Sequence, residues 1–262
     1  VREHSLRAAF TRARAEGRPA LVVYVMAGDP SLEATVQLVP RLVEAGADVI
    51  ELGMPFSDPI ADGPVLQSSA TRALAAGTTV ARVIEAARQI KTTAPLLLMG
   101  YLNPLLSYGE ERLARDAAAA GVAGAIVPDL PAEEAAGFAA KLRAQGLAFV
   151  PLVAPTTPPD RVRQIASLAD GFVYYVSVTG VTGARSSLPA DLPARIEQAK
   201  AAVRPSPLAV GFGISTPEQA RQVGGLADGV VVGSVIVRTL QEQGPEATIA
   251  LVRALRAGLA SR

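Results

Sequence analysis

Residues 45–53 read AGADVIELG. An Ala-Gly pair closes a helical stretch, the chain turns through Asp48, and a run from Val49 to Leu52 follows that is apolar but for Glu51. The same plan returns as AGVAGAIVPD from Ala120, LADGFVYYVS from Leu168 and LADGVVVGS from Leu226. Each phrase ends a helix at Gly or Asp and enters a strand. Working outward, eight β-rich runs emerge: Ala20–Met26, Asp48–Gly53, Pro95–Tyr101, Gly124–Pro128, Leu147–Val153, Gly171–Ser177, Pro207–Gly211 and Gly229–Gly233. Helical spacing fills the intervals, as in Val80, Val83, Ile84, Ala87, Ile90 and in Val162, Ile165, Ala166, Ala169. Strands that are apolar along nearly their whole length, alternating with amphipathic helices, belong to a parallel sheet covered by helices. Eight units in 262 residues average about 33 residues each. That spacing predicts an α/β fold, a closed (β/α)8 TIM barrel forming one domain over residues 1–262, with an open doubly wound sheet as the alternative.

Composition narrows the chemistry. Half the residues are hydrophobic, only 4% are aromatic, and 25 basic side chains face 24 acidic ones. A net charge of +1 gives no electrostatic reason to expect nucleic acid or an acidic membrane surface. The absence of Cys excludes disulfides, zinc–thiolate sites and cysteine nucleophiles. The one histidine, His4, sits in the charged N-terminal stretch and is expected to be solvated, which leaves acid–base work to carboxylates, tyrosines or lysines. No apolar run reaches the ~20 residues of a membrane span. Glu3 and Glu16 argue against a transit peptide, and Leu6, Ala9, Phe10 and Ala13 have the spacing of a short N-terminal helix. A soluble, cytoplasmic protein is the expectation.

Two connections break the β/α rhythm. MPFSDPIADGP runs from Met54 to Pro64 after the second strand, and VTGVTGARSSLPADLP from Val178 to Pro193 after the sixth. Both leave the C-terminal ends of strands, the face on which barrels of this kind build active sites, and long loops there tend to bind or cover substrate.

Glu51 lies near the end of the second strand. If Ile50 and Leu52 face the helices, alternation turns Glu51 into the barrel, where burial raises a carboxyl pKa and suits it to general acid/base work. Asp62 and Asp58 both occupy the loop that follows, and the residues alone do not select between them. Gly211-Phe212-Gly213-Ile214-Ser215 ends the seventh strand ahead of the helix-opening Thr216-Pro217, and Gly233-Ser234 ends the eighth. Glycines and helix N-termini can hold a phosphate without a basic residue, and Gly183 in the sixth loop is a further candidate donor. Thr216 stands where a dinucleotide fingerprint needs its third glycine. Lys91, Lys141 and Lys200 all fall in or at the ends of helical stretches, so a Schiff base is not expected. Tyr174 and Tyr175 are adjacent on the sixth strand, so at most one faces the lumen.

ELGMPFSDPIADGP closely resembles the signature of the tryptophan synthase alpha subunit family. The likeness continues through YVMAGDP from Tyr24, MGYLNP from Met99, VPDLP from Val127, TGVTG from Thr179, GFGIS from Gly211 and VVGS from Val231, in order along nearly the whole chain. The resemblance implies a (β/α)8 barrel lyase that cleaves indole-3-glycerol phosphate to indole and glyceraldehyde 3-phosphate in tryptophan biosynthesis, without metal or Schiff base. It implies that Glu51 is the acid/base, that Asp62 pairs with the indole nitrogen, and that Tyr174 is an active-site tyrosine. It further implies that Tyr24, often Phe in the family, is a pocket aromatic, that Thr182 bonds the loop-two aspartate, and that Gly183, Gly213, Gly233 and Ser234 contact phosphate. No cofactor is implied in this chain. A pyridoxal-phosphate beta subunit is implied as partner, in an alpha2beta2 heterotetramer, with Asp58 and Pro59 near the interface. Two rivals stay open: an isomerase or epimerase acting on a sugar phosphate, and a non-catalytic barrel that binds a phosphorylated ligand.

Overall fold

The computed structural model describes residues 5–176, 191–211 and 213–260. Its strands form one parallel sheet in the order β5-β4-β3-β2-β1-β9-β8-β7-β6, with β1 (Ala20–Met26), β2 (Val49–Gly53), β3 (Leu96–Met99), β4 (Gly124–Ile126), β5 (Ala148–Phe149), β6 (Leu152–Val153), β7 (Val173–Val176), β8 (Leu208–Gly211) and β9 (Gly229–Val232). The two ends of that order, β5 and β6, are halves of one run of chain. The sheet therefore closes on itself as a barrel of eight strand positions, and the open alternative is excluded.

The count of nine rather than eight has a local cause. The Val150 N–H donates to Ala125 on the β4 side, and the next residue, Pro151, has no N–H to offer the β7 side. The Pro151 carbonyl still accepts from Tyr174 N–H at 3.0 Å, so the ladder is interrupted and the barrel stays closed.

The repeated phrase works as a clasp at the N-terminal end of the barrel. In all four copies a residue of the turn donates its N–H to the neighbouring strand: Asp48 to Leu21, Ala123 to Leu96, Asp170 to Phe149 and Asp228 to Leu208. Where that residue is Asp, its carboxylate accepts a strand N–H in return, from Leu21 at 2.8 Å, Phe149 at 3.1 Å and Leu208 at 3.0 Å. A cation completes each pair: Arg18 on Asp48, Arg143 on Asp170 and Lys200 on Asp228. The Arg18 fork on Asp48 is bidentate, at 2.6 and 2.9 Å.

Alternation sorts the strands into two layers. Ile50, Leu52, Leu96, Leu98, Val173, Tyr175, Val230 and Val232 pack outward against the helices. Val22, Val49, Leu97, Ile126, Phe172, Tyr174 and Val231 fill the lumen together with Leu6 and Phe10. Those last two belong to α1 (Leu6–Ala15), capped by Ser5, whose buried side is the spacing read from the sequence. The Phe10 and Phe172 rings lie 5.0 Å apart, so α1 closes the lower end of the lumen.

The remaining helices are α2 (Leu32–Glu44), α3 (Pro64–Ala75), α4 (Val80–Gln89), α5 (Leu102–Tyr108), α6 (Glu110–Ala119), α7 (Ala132–Ala144), α8 (Pro159–Ala166), α9 (Leu192–Val203), α10 (Pro217–Gly224) and α11 (Ser234–Ala260), which breaks at Gly244 ahead of Pro245. No described helix is long and apolar enough to cross a membrane. Thr216 caps α10 by accepting from Gln219 N–H at 3.2 Å, with Pro217 at the first helical position. Thr216→Ala is expected to cost about 1 kcal/mol in urea unfolding, the usual worth of such a cap; an unchanged midpoint would show that the cap contributes nothing.

Candidate active site

The C-terminal ends of the strands open onto a cavity of about 720 Å³. Tyr24, Glu51, Asp62, Tyr174, Gly213, Gly233 and Ser234 all line it. These come from β1, β2, β7, two strand-end turns and the loop after β2, so only barrel closure brings them together. Thr182, Gly183 and the sixth-strand loop from 177 to 190 lie outside the described residues, as does His4.

Glu51 points inward because its neighbours Ile50 and Leu52 face the helices. It is 1% exposed, and its Oε1 finds no hydrogen-bond partner among the described residues. Burial pushes its pKa up to about 8, since a carboxylate there gives up water without gaining a compensating donor. The group is held as a neutral acid at pH 7.

Asp62 is reached by a loop with a defined path. The Ile60 N–H donates to the Asp58 carbonyl and the Asp62 N–H to the Pro59 carbonyl, while Gln67 Nε2 reaches back to the Asp62 carbonyl at 2.9 Å. Small residues on α3, namely Ser69, Ala70 and Ala73, let that helix settle close to β1. Arg72 on α3 forks onto Asp29 at 2.9 and 2.6 Å, and Ser69 donates to the same carboxylate. The far end of loop two is thereby tied to the exit of β1. Burial lifts the Asp62 pKa to about 6, and a hydrogen bond from Tyr101 opposes the rise. Asp58, the other loop carboxylate, is exposed and bound to Ser57. Of the two loop carboxylates left open by the residues, Asp62 lines the cavity and Asp58 does not.

Two tyrosines wall the lumen above the core. An added Cβ on Gly53 would stand 2.0 Å from the Tyr24 hydroxyl oxygen, and one on Gly211 would stand 2.3 Å from that of Tyr174. Each ring thus leans over a glycine at the end of the neighbouring strand, which no larger residue would permit. Burial and the nearby Glu51 and Asp62 carboxyls push both phenols well above their usual range, so they stay neutral donors. Tyr175 packs outward, as alternation requires.

The opposite wall is backbone. Gly213 has φ +76°, a conformation that favours glycine, and open space where a side chain would stand. The Gly233 carbonyl accepts from Val237 N–H, so the N–H groups opening α11 have no acceptor within the helix and meet the cavity at Gly233, Ser234 and Val235.

Residues in and behind the lining escaped the sequence reading. Asp129 and Arg238 line the same cavity, so a cation stands one helical turn beyond Ser234 where a purely backbone site was expected. Tyr101 reaches the site through loop two; its place just past the third strand, on the catalytic face, was the signal that could have found it.

The chain matches the family model described as "Tryptophan synthase alpha chain" over residues 10–259. It is 52% identical to the tryptophan synthase alpha chain of Geobacter sulfurreducens over 234 residues, 88% of each chain. It is 48% identical to that of Geotalea daltonii over 258 residues, 96% of this chain and 97% of the relative. Among solved structures it resembles Mycobacterium tuberculosis tryptophan synthase with a TM-score of 0.91 at 39% identity, covering 98% of both chains. The Legionella pneumophila alpha chain gives 0.89 at 39% identity over 97% and 96%. With this barrel and a match that spans the site, the chain belongs to the tryptophan synthase alpha chain family.

Proposed function

We propose that the cavity cleaves indole-3-glycerol phosphate to indole and glyceraldehyde 3-phosphate by acid/base chemistry on two carboxyls, within one barrel domain. The observation that carries the reading is the buried Glu51 carboxyl, its Oε1 without a partner among the described residues, facing the same cavity as Asp62 and the amides around Gly213 and Ser234. Glu51, neutral at pH 7, donates its proton to indole C3. The ring becomes an indolenine cation, and ionised Asp62 stabilises its nitrogen. The Glu51 carboxylate then takes the proton of the glycerol hydroxyl beside the ring. The carbon–carbon bond breaks, its electron pair restores the indole, and the aldehyde leaves; no oxidant or water is consumed. Two carboxyls held in different charge states by their surroundings divide the work.

Tyr24 and Tyr174 flank the ring. Backbone N–H groups at Gly213, Gly233 and Ser234 bind phosphate, with the field of Arg238 adding attraction. Thr182 and Gly183 take the roles their TGVTG motif implies, contact with Asp62 and with phosphate. Lys141 pairs with Glu110 and Lys200 with Asp228, and none of the described lysines, Lys91, Lys141 and Lys200, lines the cavity, which supports a reaction without an imine. The partner is a pyridoxal-phosphate beta subunit in a cytoplasmic alpha2beta2 assembly, which takes up the indole; this chain itself carries no cofactor. Ile60, 84% exposed on loop two, suits that contact.

Incubating the protein with indole-3-glycerol phosphate and separating indole by chromatography tests the reading. Release of no indole, alone or with a beta subunit, refutes it. The active form has Glu51 protonated and Asp62 ionised, so kcat/KM should be bell-shaped, with an acid limb near pH 6 and a basic limb near pH 8. The limbs belong to the pair as a coupled system. A profile flat from pH 5 to 9 would remove both assignments.

A further inference from the structure

Tyr101 follows β3 and caps α5, and it is anchored on its own side of the cavity. The Gly100 N–H donates to Ile126 on β4, and the Leu102 N–H donates to Asp129 Oδ1 at 2.8 Å. From this fixed base the side chain crosses to loop two. Its ring lies 5.5 Å from that of Phe56, at the start of the loop. Its hydroxyl accepts the Ala61 N–H at 3.0 Å, at the far end. A phenol has one hydrogen to donate, and with Ala61 on a lone pair that hydrogen is left for the carboxylate of the next residue, Asp62, whose ionised form the hydroxyl favours. A single buried side chain thus spans the loop from its first turn to its functional carboxylate.

We propose that Tyr101 is a positioning residue for the cleavage, its phenol aiming the Asp62 carboxylate over the cavity and clamping loop two between Phe56 and Ala61. The inference rests on the role given to Asp62 above. It deepens that role by naming what holds the group in place: a loop rich in turns becomes as rigid as the strand end it is tied to. It also connects the exposed outer arm of loop two, at Ile60, to the reacting centre through one side chain.

Tyr101→Phe keeps the ring against Phe56 and removes one oxygen. The expected result is a fall in kcat for indole release of roughly 10- to 100-fold, the cost of a misplaced group, with KM within about twofold. The acid limb of the kcat profile should also move to higher pH, because Asp62 loses a donor that favours its ionised form. Loss of folded protein alone lowers the rate without moving a limb. In an Asp62→Asn background the same substitution should change kcat by less than about twofold, since Tyr101 acts through the missing carboxylate. Phe56→Leu, which spares the phenol, should lower kcat while leaving the limb near its wild-type position, and it carries the test if Tyr101→Phe does not fold. A wild-type protein that releases no indole refutes the function itself. A wild type that does, beside a Tyr101→Phe variant with unchanged kcat and limb or with an equal loss in the Asp62→Asn background, overturns only the role of Tyr101; an unchanged Phe56→Leu overturns the clamp.

Discussion

Glu51→Gln should stop the reaction and stabilise the protein at once. The amide has the size of the carboxyl but can neither donate a proton to indole C3 nor accept one from the glycerol hydroxyl, so kcat should drop about 10³-fold, within the range of lost general acid–base catalysis. The gain in stability follows from the same burial. The folded-state pKa of Glu51 is raised from 4.5 to about 8. A raised carboxyl stabilises the fold fully below the unfolded value, and that contribution is lost as pH climbs towards the folded value. By pH 7 the gap of two to three pH units, at about 1.4 kcal/mol each, amounts to roughly 3 kcal/mol. Gln carries no such penalty. Urea unfolding of both proteins at pH 5 and pH 8 checks this: the advantage of the variant should be small at pH 5 and widen at pH 8. Parallel behaviour at the two pH values would mean that Glu51 is not held neutral by burial.

Asp62→Asn is the second large effect. An amide cannot offset the positive charge that develops on the indolenine nitrogen, and losing one preorganised electrostatic partner typically costs about 10²- to 10³-fold in kcat. Phosphate binding is remote, so KM should change little. The acid limb near pH 6 should vanish from the profile while the limb near pH 8 remains. Asp58→Asn, on the exposed part of the same loop, is the control and should leave the rate of the isolated chain within twofold. If Asp58→Asn is the damaging change, the carboxylates have been assigned the wrong way round.

Much of this architecture is written in periodicities. The turn phrase around Ala45 recurs because each copy closes the same clasp, with Asp48, Asp170 and Asp228 each pinning a neighbouring strand. The inward direction of Glu51 followed from the alternation of Ile50 and Leu52, and the split duties of Tyr174 and Tyr175 from the same rule. The loop phrase that ends at Pro64 shares that residue with α3, which starts there, because proline opens a helix as readily as it ends a loop. The ninth strand could not be anticipated, because whether Pro151 interrupts a ladder depends on which neighbour its missing N–H would have faced.

The amino-acid order by itself determined the repeating β/α units, the layer each strand residue faces and the glycines at the strand ends, because these depend on neighbours a few positions away. Tertiary structure alone set Asp62 in the cavity lining with Asp58 outside it, brought Tyr101 to a backbone N–H 40 residues earlier in the chain and set Arg238 in the cavity. Those facts turn on how far a loop reaches and which distant strand it meets, and closing the barrel, rather than any local preference, sets both.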